Sequence, residues 1–141
     1  MKPWNPLPDF PQIIAQKYSK LINSESSDCI ALAPSTTFAM TLAATNIIHS
    51  GILGPGKYVL VMFGEMESSI YPWQSACQRT GAILLVIPPP DDNSTWAEAI
   101  LATLENLNPG DLAVIILTCV HWCSGRTVDA LGESSFSLSS S

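Results

Sequence analysis

Apolar residues recur at two spacings along the chain, and these spacings predict which segments are helices and which are strands. Helical spacing and helix-start signals predict helices over residues 9–22, 38–48, 69–80 and 95–107. Short uninterrupted apolar runs predict strands at residues 29–33, 58–63, 82–87 and 112–118. Because the two kinds of element alternate, we expect an α/β fold with a mostly parallel sheet flanked by helices.

Proline, glycine and hydroxyl residues predict where these elements begin and end. Pro34 is expected to end the first strand, because proline has no N–H to donate to a neighbouring strand. Thr95 and Glu98 have the spacing of a capping box and predict the start of the last helix. Periodicity stops in the serine-rich residues 132–141, so we expect one domain over residues 1–131 and a disordered tail.

The composition excludes several classes of protein. Six basic residues against twelve acidic ones give a net charge of −6 with no basic cluster, which argues against nucleic-acid binding. No apolar run has the length of a membrane span and the N-terminus lacks the apolar stretch of a signal peptide, so a soluble cytoplasmic protein is expected. The four cysteines are too few for a disulfide scaffold and are predicted to be small buried thiols.

Candidate chemistry lies directly after the predicted strands. In an open parallel sheet, ligands bind beyond the carboxyl ends of the strands. Ser35, Thr36 and Thr37 follow the first predicted strand and open a helix. Their hydroxyls and the free N–H groups of a helix N-terminus would suit a phosphate, although hydroxyl residues at this position also serve simply as helix caps.

Two further motifs have simpler explanations. Cys119, His121 and Cys123 alternate at the end of a strand, which sends neighbours to opposite faces, and no second ligand pair accompanies them, so zinc is not expected. The sequence 93–95 (NST) matches a glycosylation acceptor. Without a secretory signal, a loop leading into a helix cap is the better explanation.

Five segments, in order along the chain, resemble the class V aminotransferase family of pyridoxal-phosphate (PLP) enzymes, in particular its isopenicillin-N-epimerase-like and cysteine-desulfurase-like branch. They are residues 28–37 (DCIALAPSTT), 39–47 (AMTLAATNI), 64–74 (GEMESSIYPWQ), 80–82 (TGA) and 120–129 (VHWCSGRTVD). The resemblance implies part of the aspartate-aminotransferase-like large domain of PLP-dependent transferases. It also implies PLP as the cofactor and an amino acid as the substrate.

The resemblance also implies which residues contact the cofactor. It assigns the PLP phosphate to Thr36 and Thr37, with Ser35 beside them, and places Met66 over the pyridine ring, where desulfurases carry histidine. Because a thioether can pack on a ring but offers no imidazole for acid–base chemistry, Met66 argues against a desulfurase mechanism. His121 and Trp122 fall where the family lines the cofactor and substrate pocket.

Two residues that the family requires have no counterpart in the chain. The family's Schiff-base lysine and the aspartate that pairs with the pyridine nitrogen both come later than residue 129, whereas the lysines here are Lys2, Lys17, Lys20 and Lys57. We therefore assign no catalytic residue and expect a truncated fragment that is inactive alone, from a family that forms homodimers.

Two other functions compete with this interpretation. A non-catalytic interaction module with this fold is the alternative. A Rossmann-like phosphate binder is disfavoured, because the first strand-to-helix turn contains no glycine.

Overall fold

A computed structural model describes residues 9–128 and contains a three-stranded parallel sheet flanked by helices. The helices are α1 (Phe10–Leu21), α2 (Thr36–His49), α3 (Glu67–Thr80) and α4 (Trp96–Glu105), and the strands are β1 (Tyr58–Met62), β2 (Ile83–Ile87) and β3 (Leu112–Ile116). The chain divides into two compact units, the first ending at Ser35 and the second beginning at Thr36. The α/β fold expected from the sequence is confirmed.

The first unit contains α1 and a short 3₁₀ turn, Ser27–Cys29. The predicted strand at residues 29–33 is wrong. The Ser26 hydroxyl accepts a hydrogen bond from the Asp28 backbone N–H at 3.1 Å, which favours the turn. Ile30 then has an extended backbone, but within residues 9–128 no strand pairs with this segment, and a strand is stabilised only by a neighbour.

The sheet of the second unit has the order β2-β1-β3, with both pairings parallel. Tyr58 lies opposite Ile83 at one end of the β1–β2 pair, and Met62 lies opposite Ile87 at the other. In the central strand β1, the four residues from Val59 to Met62 are buried. This burial on both faces explains why β1 is apolar throughout rather than alternating.

Helices cover both faces of the sheet. On one face, Val59 and Val61 pack with residues of α2 and α3, including Ala44 and Trp73. On the other face, a second cluster packs against α4; it contains Leu60, Met62, Ile87, Trp96, Ile100 and Val128. Alternate residues of β1 therefore belong to different cores, as the period-two geometry of a strand requires.

Local signals set the ends of the helices largely as predicted. The capping box of α4 is present: the Glu98 N–H donates to the Thr95 hydroxyl at 3.2 Å, and the Thr95 N–H donates to the Glu98 carboxylate at 2.7 Å. Helix α3 begins two residues earlier than predicted, at Glu67, and contains Pro72. It ends at Gly81, whose φ of 78° is the left-handed conformation that glycine adopts at helix ends.

The cysteines differ from the expectation of buried thiols. Cys77 is buried in α3 against the sheet, and this burial raises the pKa of its thiol. Cys29, Cys119 and Cys123 are exposed, so the prediction is wrong for these three. They lie at or beyond the ends of helices and strands, where little of the chain covers them.

No helix among residues 9–128 has the length and apolar character needed to cross a membrane. The predicted serine-rich tail, 132–141, lies outside the described residues, as does Asp129.

Replacement of Leu60 by alanine tests the importance of the central strand. Leu60 is fully buried, so Leu60→Ala should leave a cavity and lower the free energy of unfolding by about 3 kcal/mol. Urea denaturation followed by circular dichroism measures the change. Val86→Ala is the matched control, because Val86 lies on the edge strand β2 and is 46% exposed. An equal loss in the two variants would contradict a core centred on β1.

Candidate functional site

The candidate segments of the second unit lie at one edge of the sheet because of how the helices and strands connect. Helix α3 begins just after the carboxyl end of β1 and returns to the amino end of β2. The loop between α2 and β1 lies beside the end of α3, since a Cβ on Gly81 would approach Pro55 Cγ to 3.3 Å. The C-terminal end of α2 is thus at the amino edge, and the N-termini of α2 and α3 lie at the carboxyl edge.

Thr36 and Thr37 are the first two residues of α2, and both are exposed. The first N–H groups of a helix lack partners within it and carry the positive end of its dipole, so they favour an anion. A groove of about 270 Å³ runs between α2 and α3, lined by Thr37, Tyr71 and Arg79 among others. Ser35 is the last residue of the first unit, and its part in phosphate binding stays a prediction.

The loop after β1 carries Met66 to the start of α3. Gly64 has a φ of 71°, a conformation that residues with a Cβ rarely adopt, and it turns the chain away from the strand. Met66 precedes the first residue of α3, and its side chain is 41% exposed without capping the helix. The thioether is thus available to a ligand at the carboxyl edge.

His121 lies in the segment after β3 and is buried, with 5% of its surface exposed. Its Nε2 is 2.9 Å from the Phe63 carbonyl oxygen, which can only accept, so Nε2 carries the proton. Its Nδ1 accepts from the Ser124 backbone N–H at 3.4 Å and lies 2.9 Å from the Ser124 hydroxyl. The ring centroid of Trp96 is 5.0 Å away. His121 therefore joins the loops after β3 and β1 through both of its ring nitrogens.

Trp122 lies beside His121 but is 53% exposed. Its indole Nε1–H donates to the Gly64 carbonyl oxygen at 2.7 Å. The Cys123 thiol is 3.7 Å from the same oxygen. The structure thus brings His121 and Trp122 onto the loop that leads to Met66, whereas it shows no direct contact between these residues and Thr36 or Thr37.

Cys119, His121 and Cys123, which the sequence analysis did not expect to bind zinc, belong to no metal-binding group among the described residues. Across residues 9–128, no three His, Cys, Asp or Glu side chains are grouped so that they could hold a metal ion. Both ring nitrogens of His121 already have partners in the chain.

Glu65 is a site residue that the motif analysis left without a role. Its side chain is buried, with 8% exposed, and the Thr118 hydroxyl donates to its carboxylate at 3.5 Å. A charged group is rarely buried unless it has polar partners, so a glutamate directly after a central strand was a usable signal. Its contact with Thr118 joins the ends of β1 and β3.

Arg126 was also missed. Its guanidinium donates to the backbone carbonyls of Pro90, Asp91 and Ser94, all in the loop after β2. Residues 119–128, here called the cap hairpin, are closed by the antiparallel pair Val120–Thr127. Because β2 and β3 lie on opposite sides of β1, the cap hairpin crosses the carboxyl ends of all three strands. No local pattern in the sequence indicates that Arg126 contacts a loop more than thirty residues away.

Comparison of the sequence with known protein families assigns the chain to one of them. The family described as aminotransferase class-V matches residues 12–129. The chain belongs to the class V aminotransferase family.

Relatives in this family include cysteine desulfurases. One from Escherichia coli O8 (strain IAI1) is 29% identical over 107 residues, which cover 76% of this chain and 25% of that protein. One from Salmonella typhimurium (strain LT2) is 28% identical over 93 residues, covering 66% of this chain and 23% of that protein. This chain thus spans about a quarter of the length of the curated relatives it matches.

The fold is also found in a solved structure. The cysteine desulfurase CsdA (S-sulfonic acid) from Escherichia coli superposes with a TM-score of 0.70 at 20% sequence identity, covering 84% of this chain and 29% of that one. At this identity the similarity shows the fold alone. It confirms the architecture expected from the resemblance, a PLP-dependent transferase fold with a parallel sheet flanked by helices.

The class V family is PLP-dependent, and the donors at the carboxyl edge suit part of that cofactor. Two exposed hydroxyls and a helix N-terminus suit a phosphate. In the first turn of α3, the Ser68 hydroxyl is buried with no partner in the described part of the chain, so a polar group is unpaired at the same edge.

No lysine of the second unit's described residues, 36–128, lies at this edge. The lysine in that range is Lys57, just before β1. Its ammonium donates to the Gly110 carbonyl at 2.6 Å, at the opposite, amino edge of the sheet. The described residues of this unit therefore offer donors that suit the phosphate of PLP and no lysine at the same edge for its aldehyde.

Replacement of His121 by phenylalanine separates its structural role from chemistry. His121→Phe keeps an aromatic ring beside Trp96 but removes the hydrogen bond to the Phe63 carbonyl, so we expect a loss of about 1 kcal/mol in the free energy of unfolding. Urea unfolding measures it. His49→Phe is the control, since His49 is exposed at the end of α2. Unchanged stability in His121→Phe would show that the two loops are held by other contacts.

Proposed function

We propose that this chain forms the phosphate- and ring-binding part of a PLP site in a class V aminotransferase-like enzyme acting on an amino acid. The observation that carries the proposal is the hydrogen bond from Trp122 in the cap hairpin to Gly64 in the loop that leads to Met66. The order of helices and strands places the α2 N-terminus at the same carboxyl edge of the parallel sheet. In the same proposal the protein is located in the cytoplasm, as its N-terminal sequence led us to expect, and forms a homodimer, as the resemblance implies.

Each proposed cofactor residue has a distinct task. Thr36 and Thr37 would hold the phosphate through their hydroxyls and the α2 N–H groups, with Ser35 preceding them. Met66 would pack its thioether on the pyridine ring, and Trp122 would bound the ring's surroundings while its N–H remains on Gly64. His121 would contribute by holding Trp122 in place, because both of its nitrogens are engaged within the chain.

PLP supplies the electron sink for reactions at the amino acid's Cα when it is bound. In this proposal the chain's own residues bind the cofactor and orient it. His121 is engaged by Phe63 and Ser124, and Glu65 is buried beside Thr118, so neither of these two side chains is placed to move a proton on a ligand. The 141-residue chain alone is therefore proposed to bind without turnover.

The phosphate site is tested by removing both hydroxyls from the start of α2. Thr36→Ala/Thr37→Ala should weaken PLP binding about a hundredfold, because each lost hydrogen bond to a charged phosphate is worth about 1.5 kcal/mol, or about tenfold in affinity. Quenching of tryptophan fluorescence during PLP titration gives the affinity. Thr103→Ala is the matched control, since its hydroxyl bonds only the Ala99 carbonyl in α4. Inorganic phosphate should compete with PLP in the wild type; equal affinities in all three proteins would overturn the assignment.

The absence of a lysine from the carboxyl edge predicts how PLP is held. Borohydride reduction of the PLP-treated chain, followed by peptide mass spectrometry, should give only scattered, substoichiometric labelling of lysines, similar to that of the urea-unfolded chain. Incubation with PLP and cysteine or alanine should give no product. Stoichiometric labelling of one lysine with turnover would refute the proposal of an inactive chain.

A further inference from the structure

Three loops follow the three strands, and one side chain connects the two outermost loops. Arg126, in the cap hairpin after β3, donates from Nη1 to the carbonyls of Pro90 at 3.3 Å and Asp91 at 3.2 Å. Its Nη2 donates to the Ser94 carbonyl. The planar guanidinium has several donors in fixed directions, so it can serve three carbonyls of one loop at once.

The backbone of Arg126 is tied to the proposed cofactor residues. The His121 N–H donates to the Arg126 carbonyl at 2.9 Å, and the Gly125 N–H donates to the His121 carbonyl at 2.8 Å. Arg126 therefore lies one hydrogen bond from His121, whose ring holds the Phe63 carbonyl, and Trp122 follows directly. Any displacement of Arg126 is transmitted to the residues on the loop after β1.

The far end of the cap hairpin is anchored by apolar packing. Val128 is buried and belongs to the cluster that contains Ile87, Trp96 and Ile100. Its N–H donates to the Cys119 carbonyl at 2.9 Å, which closes the base of the hairpin. Trp122 connects the hairpin to the loop after β1 through Gly64. Arg126, which lies between Trp122 and the base of the hairpin, connects it to the loop after β2.

We propose that Arg126 is a positioning residue for the PLP site: its guanidinium, fixed on the 90–94 loop, holds the cap hairpin so that Trp122 stays over Gly64. The choice of PLP as the ligand rests on the proposed function. The positioning role itself rests on the hydrogen bonds of Arg126. Arg126 itself touches no cofactor residue with its side chain and acts through the backbone it holds.

Hydrogen exchange and ligand binding together test the role of Arg126. In Arg126→Ala, backbone amides of residues 119–128 should exchange at least tenfold faster, while those of β1 keep their protection. PLP affinity, from tryptophan quenching, should fall about tenfold. Arg126→Lys should give nearly the same loss, because an ammonium retains the charge but not the fork that spans three carbonyls.

Lys57→Ala is the matched control. It also removes a cationic side chain bonded to a backbone carbonyl, but at the amino edge, so it should leave both the exchange of residues 119–128 and PLP affinity unchanged. Should Arg126→Ala lose its helical circular dichroism, Arg126→Gln replaces it, because the amide retains one donor group.

The outcomes separate the two proposals. Unchanged exchange in Arg126→Ala, wild-type affinity in Arg126→Lys, or an equal loss in Lys57→Ala would overturn the positioning role. A wild-type chain that fails to bind PLP would overturn the proposed function, and faster exchange of the cap hairpin in Arg126→Ala would still support the part of Arg126 in holding it.

Discussion

The rest of the structure depends on the burial of β1 from both faces. Val59 and Val61 pack with α2 and α3, while Leu60 and Met62 pack with α4. A strand in this position accepts parallel partners on both sides, so the chain must return by a helix between strands. That return brings the ends of all three strands, and the N-termini of α2 and α3, to one edge. The location of the candidate site thus follows from how the core is packed.

At that edge the backbone carbonyls of the loops are the shared acceptors. Phe63 and Gly64 receive the donors of His121 and Trp122, and the loop after β2 receives the guanidinium of Arg126. The donors all come from the cap hairpin. Loops of this kind hold little apolar surface, so hydrogen bonds from side chains fix them where packing cannot. In the same arrangement both ring nitrogens of His121 have partners within the chain, so we assign this histidine a structural role and no part in acid–base chemistry.

The low content of charged residues is reflected in apolar side chains that are exposed at the edge of the sheet and on α2. Only 13% of its residues are charged, against about 25% in a typical soluble domain. Ile83 and Val86 on the edge strand β2 are nearly half exposed, as are Phe38 and Leu42 on α2. Residues 30–33 are apolar yet pair with no strand in the described part of the chain. The exposed side chains of β2 and α2 are thus apolar, like those of a protein interior, and no other part of residues 9–128 covers them.

Sequence alone determined the elements whose signals are local. Helix α4 starts at its capping box, α3 ends at a left-handed glycine, and the apolar runs of β1, β2 and β3 were recognisable because strands buried in a parallel sheet read as continuous apolar segments. The ordered motifs also identified the family. Tertiary structure decided what depends on residues distant in sequence: that residues 29–33 pair with no strand within residues 9–128, that His121 links to Phe63, and that Arg126 holds the loop after β2. Such contacts join positions more than thirty residues apart, and no spacing within the sequence encodes them.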